Sequence, residues 1–228
     1  MAAPFVDVRL AGATARFTGR AGGVSGAPYD TLNLGPATGD DPAAVRRNLS
    51  IASDGRPVAR LRQVHGSDIR TAVPADTGAD LREGDGLVTT STGIALAAMT
   101  ADCLPVVLAT SEVIAVVHAG WRGLAAGVVE NGVAAMRDLD RTGEIRVALG
   151  PGAGACCYEV GPEVAARFPE DASGRFVDLK AAARRRLAAA GVALVHDVNR
   201  CTMCEADVFF SHRRSGPVTG RQAGLVWR

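Results

Sequence analysis

Apolar residues in this chain cluster in short runs separated by breakers. Residues 94–99, 106–108 and 113–117 are uninterrupted apolar stretches, the pattern of strands buried on both faces. Residues 145–149 and 192–195 read the same way, as do 208–210 and 225–227 near the end. Val58, Leu61 and Val64 mark a further strand over 57–64, and the turn Gly84-Asp85-Gly86 leads into a β-rich run at 87–90. Helices are predicted over 43–52, with Asp41 as N-cap and Pro42 at the first helical position, over 123–139, and over 179–190 between an Asp178 cap and Gly191. Strands and helices mix without a regular βαβ beat, which predicts an α+β fold. No repeat or linker-like shift in composition divides the chain, so residues 1–228 are expected to form one domain.

Composition narrows the functional classes. The 228 residues are 47% hydrophobic, and 25 basic side chains balance 24 acidic ones. That balance argues against a nucleic-acid binder, and the apolar fraction against disorder. No apolar run reaches the ~18 residues of a membrane span. The N-terminal segment lacks the basic and apolar regions of a secretory signal. A cytoplasmic protein without membrane or nucleic-acid partners is the expectation. Among the basic residues only Lys180 is a lysine; arginine's fork suits phosphate where it lines a site.

The five cysteines are odd in number, which disfavours a disulfide framework. Cys103 lies in Thr100-Ala101-Asp102-Cys103-Leu104-Pro105, a rigid turn between two apolar runs. His65 lies in Arg62-Gln63-Val64-His65-Gly66, and His118 ends an apolar run before Ala119-Gly120-Trp121-Arg122-Gly123. A helix start beside His118 offers free N–H groups to an anion, and Arg122 adds a charged fork there. One thiolate and two imidazoles make a three-ligand zinc set with an open fourth position. The same residues suit a Cys103 nucleophile with a histidine base, or three unrelated buried polar side chains. Cys201-Thr202-Met203-Cys204 has CxxC spacing, but the adjacent Cys156 and Cys157 look poorly placed to complete a tetrahedral site with it, so a structural or incidental role is expected. Gly150–Gly154 does not match a phosphate-binding loop and reads as a turn lining a pocket. Arg213-Arg214 suits a phosphate clamp or a solvated basic patch.

Taken in order, several segments closely resemble one family. They are Arg20-Ala21-Gly22-Gly23-Val24-Ser25, Asn33-Leu34-Gly35, Gly39-Asp40-Asp41-Pro42, the three motifs around His65, Cys103 and His118, Gly84-Asp85-Gly86, Gly150-Pro151, Cys156-Cys157-Tyr158-Glu159-Val160, Asp178-Leu179, Phe209-Phe210-Ser211, Arg213-Arg214 and Thr219-Gly220-Arg221. The family is the laccase-domain family, described as multi-copper polyphenol oxidoreductases, YfiH-like purine nucleoside phosphorylases and peptidoglycan-editing factors. The resemblance implies a layered sandwich of mixed β-sheets flanked by helices, similar to the YfiH-like cysteine-hydrolase fold, and a monomer. It implies that His65, Cys103 and His118 bind one metal, zinc or alternatively copper.

The implied activities are phosphorolysis of adenosine, inosine, guanosine and methylthioadenosine, and hydrolytic deamination of adenosine. In the deamination, water activated at zinc would attack C6 and Asp102 or another carboxylate would shuttle the proton. Arg20, Arg62, Arg122 and Arg213 are the expected phosphate contacts, with Asn33 and Gln63 as further substrate contacts. The alternatives are an amidase that removes L-serine from a UDP-muramoyl-serine precursor, a non-catalytic nucleoside binder and, last, a copper oxidase, for which three ligands are too few. Two positions depart from the family pattern. Ala37 stands where a histidine is common, and His212 where tyrosine is frequent.

Overall fold

A computed structural model describes residues 5–78, 82–192 and 194–228. The strands are β1 (Phe5–Leu10), β2 (Ala13–Thr18), β3 (Val58–Ala59), β4 (Ile69–Thr71), β5 (Gly86–Thr89), β6 (Ala95–Thr100), β7 (Leu104–Ala109), β8 (Ile114–Ala119), β9 (Arg146–Leu149), β10 (Ala172–Ser173), β11 (Phe176–Val177), β12 (Leu194–Asp197) and β13 (Gln222–Trp227). The helices are α1 (Pro42–Ala52), α2 (Trp121–Ala125), α3 (Val128–Leu139), α4 (Pro162–Ala165), α5 (Leu179–Ala189) and α6 (His212–Ser215).

Two mixed sheets dominate. One runs β1-β2-β13-β6-β3 and the other β12-β9-β7-β8-β5-β4. Each is largely antiparallel, with parallel pairs at the edges: β3 with β6, β4 with β5, and β12 with β9. The α+β expectation and the layered sandwich are thus what the chain forms.

Side-chain alternation explains why the strands read as unbroken apolar runs. In β6, Leu96 and Ala98 face the second sheet, where Ile114 and Val116 of β8 and Val107 of β7 meet them. Ala95, Ala97 and Met99 face the other way and pack with Val45 and Leu49 of α1. In β8, Ala115, Val117 and Ala119 pack under Leu124, Val128 and Val133 of α2 and α3 and Leu187 of α5. The layers are therefore helix, sheet, sheet, helices.

Helix α1 starts as predicted: the Asp41 carboxylate accepts the Ala43 N–H and Pro42 follows it. Asp178 likewise caps α5, accepting from Ala181 N–H.

Four expectations need correction. The helix over 123–139 is two helices, because Gly127 adopts a left-handed backbone at φ +88° between them. The strand over 57–64 is a strand only at Val58–Ala59; beyond it Arg62 makes one isolated bridge to Glu83, and the chain turns to carry His65. Residues 208–210 form no strand; Phe209 and Phe210 are buried in a turn whose backbone bonds to Glu205 and to the Gln222 side chain. The strand over 192–195 runs instead over Leu194–Asp197, and Ala193 lies outside the described residues.

Candidate metal centre and substrate cleft

The chemistry gathers where the chain changes sheets. β6 of the first sheet passes to β7 of the second through Ala101-Asp102-Cys103, and β3 passes to β4 through the loop that holds His65. His118 is the penultimate residue of β8, and Ala119 and Gly120 separate it from α2. Donor atoms of His65, Cys103 and His118 lie within 4.8 Å of one another. The imidazole rings meet edge-on, with centroids 4.8 Å apart. His65 and Asp102 both hold left-handed backbone, at φ +60° and +94°. Such conformations in residues other than glycine persist only where the surroundings hold them, and they collect at functional sites.

Asp85 organises the two histidines. It is 1% exposed and stands just before β5. Its Oδ1 accepts from His65 N–H (2.9 Å) and pairs with His118 Nδ1 (2.8 Å); its Oδ2 accepts from Gly66 (2.6 Å) and Val64 (3.2 Å). One buried carboxylate thereby fixes the His65 loop and orients the His118 ring, leaving His118 Nε2 for the site. Burial alone would raise the Asp85 carboxyl, but the His118 hydrogen bond and the backbone N–H groups hold it below its ordinary value. Sequence reasoning took Asp85 only as part of a turn; its confinement between two glycines was the available signal.

Burial also pushes the Cys103 thiol up and the His118 imidazolium down, and in each case the partner outweighs it. Attraction to His118 and His65 brings Cys103 down to about 6. Attraction to Cys103 and the Asp85 hydrogen bond bring His118 up to about 9. Cys103 is a thiolate at neutral pH, the form a metal ligand requires.

The space fits an ion. A Cβ on Gly120 would lie 2.9 Å from His65 Cδ2 and 3.1 Å from Cys103 Sγ, so only glycine leaves this cradle open. A thiolate and two imidazoles, one backed by a carboxylate, are the donor chemistry of a three-ligand zinc site.

A cleft of about 700 Å³ opens over these donors, within the roughly 300–1,000 Å³ of small-molecule sites. Arg62, Arg122 and Arg213 line it, and so does Arg221, which sequence reasoning did not single out as a contact. Arg122 lies over the Trp121 ring (4.3 Å to the centroid) and Arg213 over the Tyr158 ring (4.9 Å). Arg62 pairs with Glu83 at 2.5 Å, both side chains being exposed. Burial holds the Arg221 guanidinium below its ordinary value. Trp121, Tyr158 and Met99 supply apolar wall, and both departures from the family pattern, Ala37 and His212, lie on that wall.

Other expected contacts have different places. Arg20 does not line the cleft: it donates to the carbonyls of Asp30 and Ala206 and lies over Phe210. Asn33 is wholly buried just behind the cleft wall, where it binds Thr38, Asp40 and the N–H groups of Gly35 and Arg221. Gln63 lines the cleft, but its amide forms a closed pair with the Met99 backbone (2.8 Å each way). Asp102 accepts from the Thr202 hydroxyl on Oδ1 and from Arg213 N–H on Oδ2, 2.7 Å each. Gly150–Gly154 contributes no lining; Gly150 packs on Phe17 and Pro105. Arg214 is no solvated patch, since its guanidinium donates to the carbonyls of Thr202, Met203 and Phe209.

With this geometry in view, a family model described as multi-copper polyphenol oxidoreductase laccase matches residues 14–228. The chain belongs to this family. Among laccase-domain relatives, it is 44% identical to a purine nucleoside phosphorylase of Pseudomonas aeruginosa, over 92% of this chain and 91% of the relative. It is 40% identical to the purine nucleoside phosphorylase YfiH of Shigella flexneri, over 91% and 90%. Its fold is similar to crystal structures of YlmD from Geobacillus stearothermophilus (TM-score 0.90, 32% identity, covering 100% and 97%) and of a Neisseria meningitidis protein (TM-score 0.87, 39% identity, covering 99% of each). Among the described residues no helix is long and apolar enough to cross a membrane.

Proposed function

We propose that this laccase-domain protein is a zinc-dependent purine nucleoside phosphorylase that also deaminates adenosine. The observation that carries the proposal is the convergence of His65, Cys103 and His118 under a cleft rimmed by arginines. Support also comes from full-length relatives that bear the phosphorylase name at about 40% identity.

His65, Cys103 and His118 would hold the metal, which supplies Lewis acidity at an open coordination position. Trp121 and Tyr158 offer flat apolar surface to a purine. Arg122, Arg213 and Arg221 orient phosphate through charge-assisted forks, with Arg62 at the rim. A phosphate oxygen bonds to C1′ of the ribose as the C1′–N9 bond breaks and its electron pair leaves with the base, which takes up a proton. His212, on the cleft wall, is the imidazole available to pass that proton. Asp102, with both oxygens engaged, acts as a positioning residue: it holds the Cys103 turn against Thr202 and the start of α6. Gln63 and Asn33 also position, the first by locking the His65 loop to β6 and the second by shaping the 33–40 loop. In deamination, water adds at C6 of adenosine and ammonia departs.

Chromatography of metal-loaded protein with inosine or adenosine, each with and without phosphate, tests this. Free base is expected only with phosphate, and inosine from adenosine with or without it. Absence of both products overturns the proposal.

One observation favours a second reading. Asp85, His118 and Cys103 stand in series as carboxylate, imidazole and thiolate, the order a thiol hydrolase uses. Its substrate would be the UDP-muramoyl-serine amide, and serine release without any need for phosphate would distinguish it.

A further inference from the structure

The four cysteines outside the cleft do what their spacing did not promise. Cys156 and Cys157 on one turn meet Cys201 and Cys204 on another, and all four sulfurs lie within 4.8 Å of one another. Four of the separations are 3.4–3.6 Å. A disulfide would need about 2.05 Å, and all five cysteines of the chain are free. In a tetrahedral zinc–tetrathiolate the sulfurs stand about 3.8 Å apart, given Zn–S of about 2.3 Å. Four of the six sulfur–sulfur edges are therefore slightly shorter than those of such a tetrahedron, and the remaining two stay within 4.8 Å.

Adjacent cysteines reach a common centre because the backbone turns tightly beneath them: the N–H groups of Cys157 and Tyr158 both return to the Gly154 carbonyl. Gly154 also leaves room, since a Cβ there would lie 3.2 Å from Cys156 Sγ and 3.4 Å from Cys201 Sγ. The Gly154 N–H donates to Cys201 Sγ at 3.2 Å, and the Arg214 guanidinium donates to the carbonyls of Thr202 and Met203 inside the CxxC turn. The first turns the positive end of an N–H dipole toward Cys201 Sγ, and the second pins the turn that carries Cys201 and Cys204. Cysteine sulfur is a soft donor, which selects zinc over hard cations.

We propose that Cys156, Cys157, Cys201 and Cys204 form a second, structural zinc site, separate from the His65-Cys103-His118 set, that clamps one wall of the cleft. On binding, four thiols lose four protons, and no electron is transferred. The clamp has a direct line to the cleft on both sides. Tyr158, next to Cys157, carries Arg213 on its ring, and Thr202, next to Cys201, holds Asp102 beside Cys103. Gly152 and Cys201 already bridge the two segments through the backbone.

The test is metal stoichiometry on the full chain. Protein purified anaerobically under reductant is loaded with zinc, desalted and analysed by mass spectrometry. The expected contents are two zinc ions per wild-type chain, one in Cys103→Ala and one in Cys201→Ser/Cys204→Ser. Cobalt substitution of Cys103→Ala keeps the four-cysteine site intact whatever happens to the other variant. It is expected to give the strong visible bands and thiolate charge transfer of tetrahedral cobalt–sulfur coordination. One zinc in wild type with none in Cys103→Ala, or a colourless cobalt form of that variant, overturns the proposal. So does finding fewer than five alkylatable thiols in denatured, metal-stripped protein that never saw reductant, since that means a disulfide. None of these readouts depends on the reaction assigned to the cleft.

Discussion

Replacing Asp85 by asparagine tests the organisation of the metal centre, because the two side chains match in shape and differ in one oxygen. The carboxylate receives two donors on each oxygen: His65 N–H and His118 Nδ1 on Oδ1, Val64 and Gly66 N–H on Oδ2. An asparagine must turn its NH₂ toward one of these pairs. Facing Val64 and Gly66, it leaves two N–H groups without an acceptor. Facing His65 and His118, it strands the His65 N–H and forces His118 Nδ1 to accept, which moves the ring proton to Nε2, the nitrogen needed for metal. At about 1–3 kcal/mol per buried group left unsatisfied, the expected loss is ~2–6 kcal/mol for the first arrangement and ~1–3 for the second. A stability loss of 2 kcal/mol lowers Tm by about 4–8 °C in a protein this size. Removing the carboxylate behind a metal-ligating histidine weakens metal binding roughly 10–100-fold. Competitive zinc titration and thermal unfolding of the same preparation read both effects, with far-UV circular dichroism as the check on fold. An Asp85→Asn protein with wild-type zinc affinity and wild-type Tm would refute the reasoning.

Three further outcomes are expected. Gly120→Ala suits its extended backbone (φ −72°), yet its methyl would press on His65 and Cys103; zinc affinity should fall at least about tenfold while Tm shifts by only a few degrees, and unchanged affinity contradicts the cradle. In metal-free protein, alkylation of Cys103 by iodoacetamide should fall as pH drops through about 6 and level off above it; a midpoint near the ordinary thiol value of about 8.5 would remove the thiolate–imidazolium pair. Arg122→Gln should raise the phosphate KM about tenfold, the loss of one charge-assisted hydrogen bond, and leave Tm in place; an unchanged KM takes Arg122 out of the phosphate site.

The layers of the fold were legible wherever burial was two-sided, because β6, β7 and β8 have no polar face to interrupt their runs. The hairpin of β1 and β2 was not, since Arg9 and Arg16 interrupt its pattern; Arg16 is nonetheless buried, held by Asp7 and Asp54 and covered by Phe5 and Trp227. Phe209 and Phe210 read as a strand because an apolar run does not say whether its backbone will find a partner strand or a Gln222 side chain. The metal triad was legible as residue types, but 38 and 15 residues separate its members and only the crossing between sheets brings them together. Asp85 escaped notice because its importance lies in four hydrogen bonds that no local pattern encodes. The four-cysteine cluster was misjudged for a related reason. Adjacent cysteines point apart on a strand, but on the turn after Gly154 they point together. Arg20 and Asn33 hold the 20–40 loop through hydrogen bonds and are not among the side chains that line the cleft.

The most direct measurement of the central claim follows phosphate by phosphorus NMR while base release from inosine is measured in the same sample. Zinc-loaded wild-type protein should convert phosphate to a sugar phosphate in a one-to-one ratio with free base, and Cys103→Ala, folded but lacking the cleft metal, should do neither. Base release without consumption of phosphate, or full turnover by Cys103→Ala, would contradict the account.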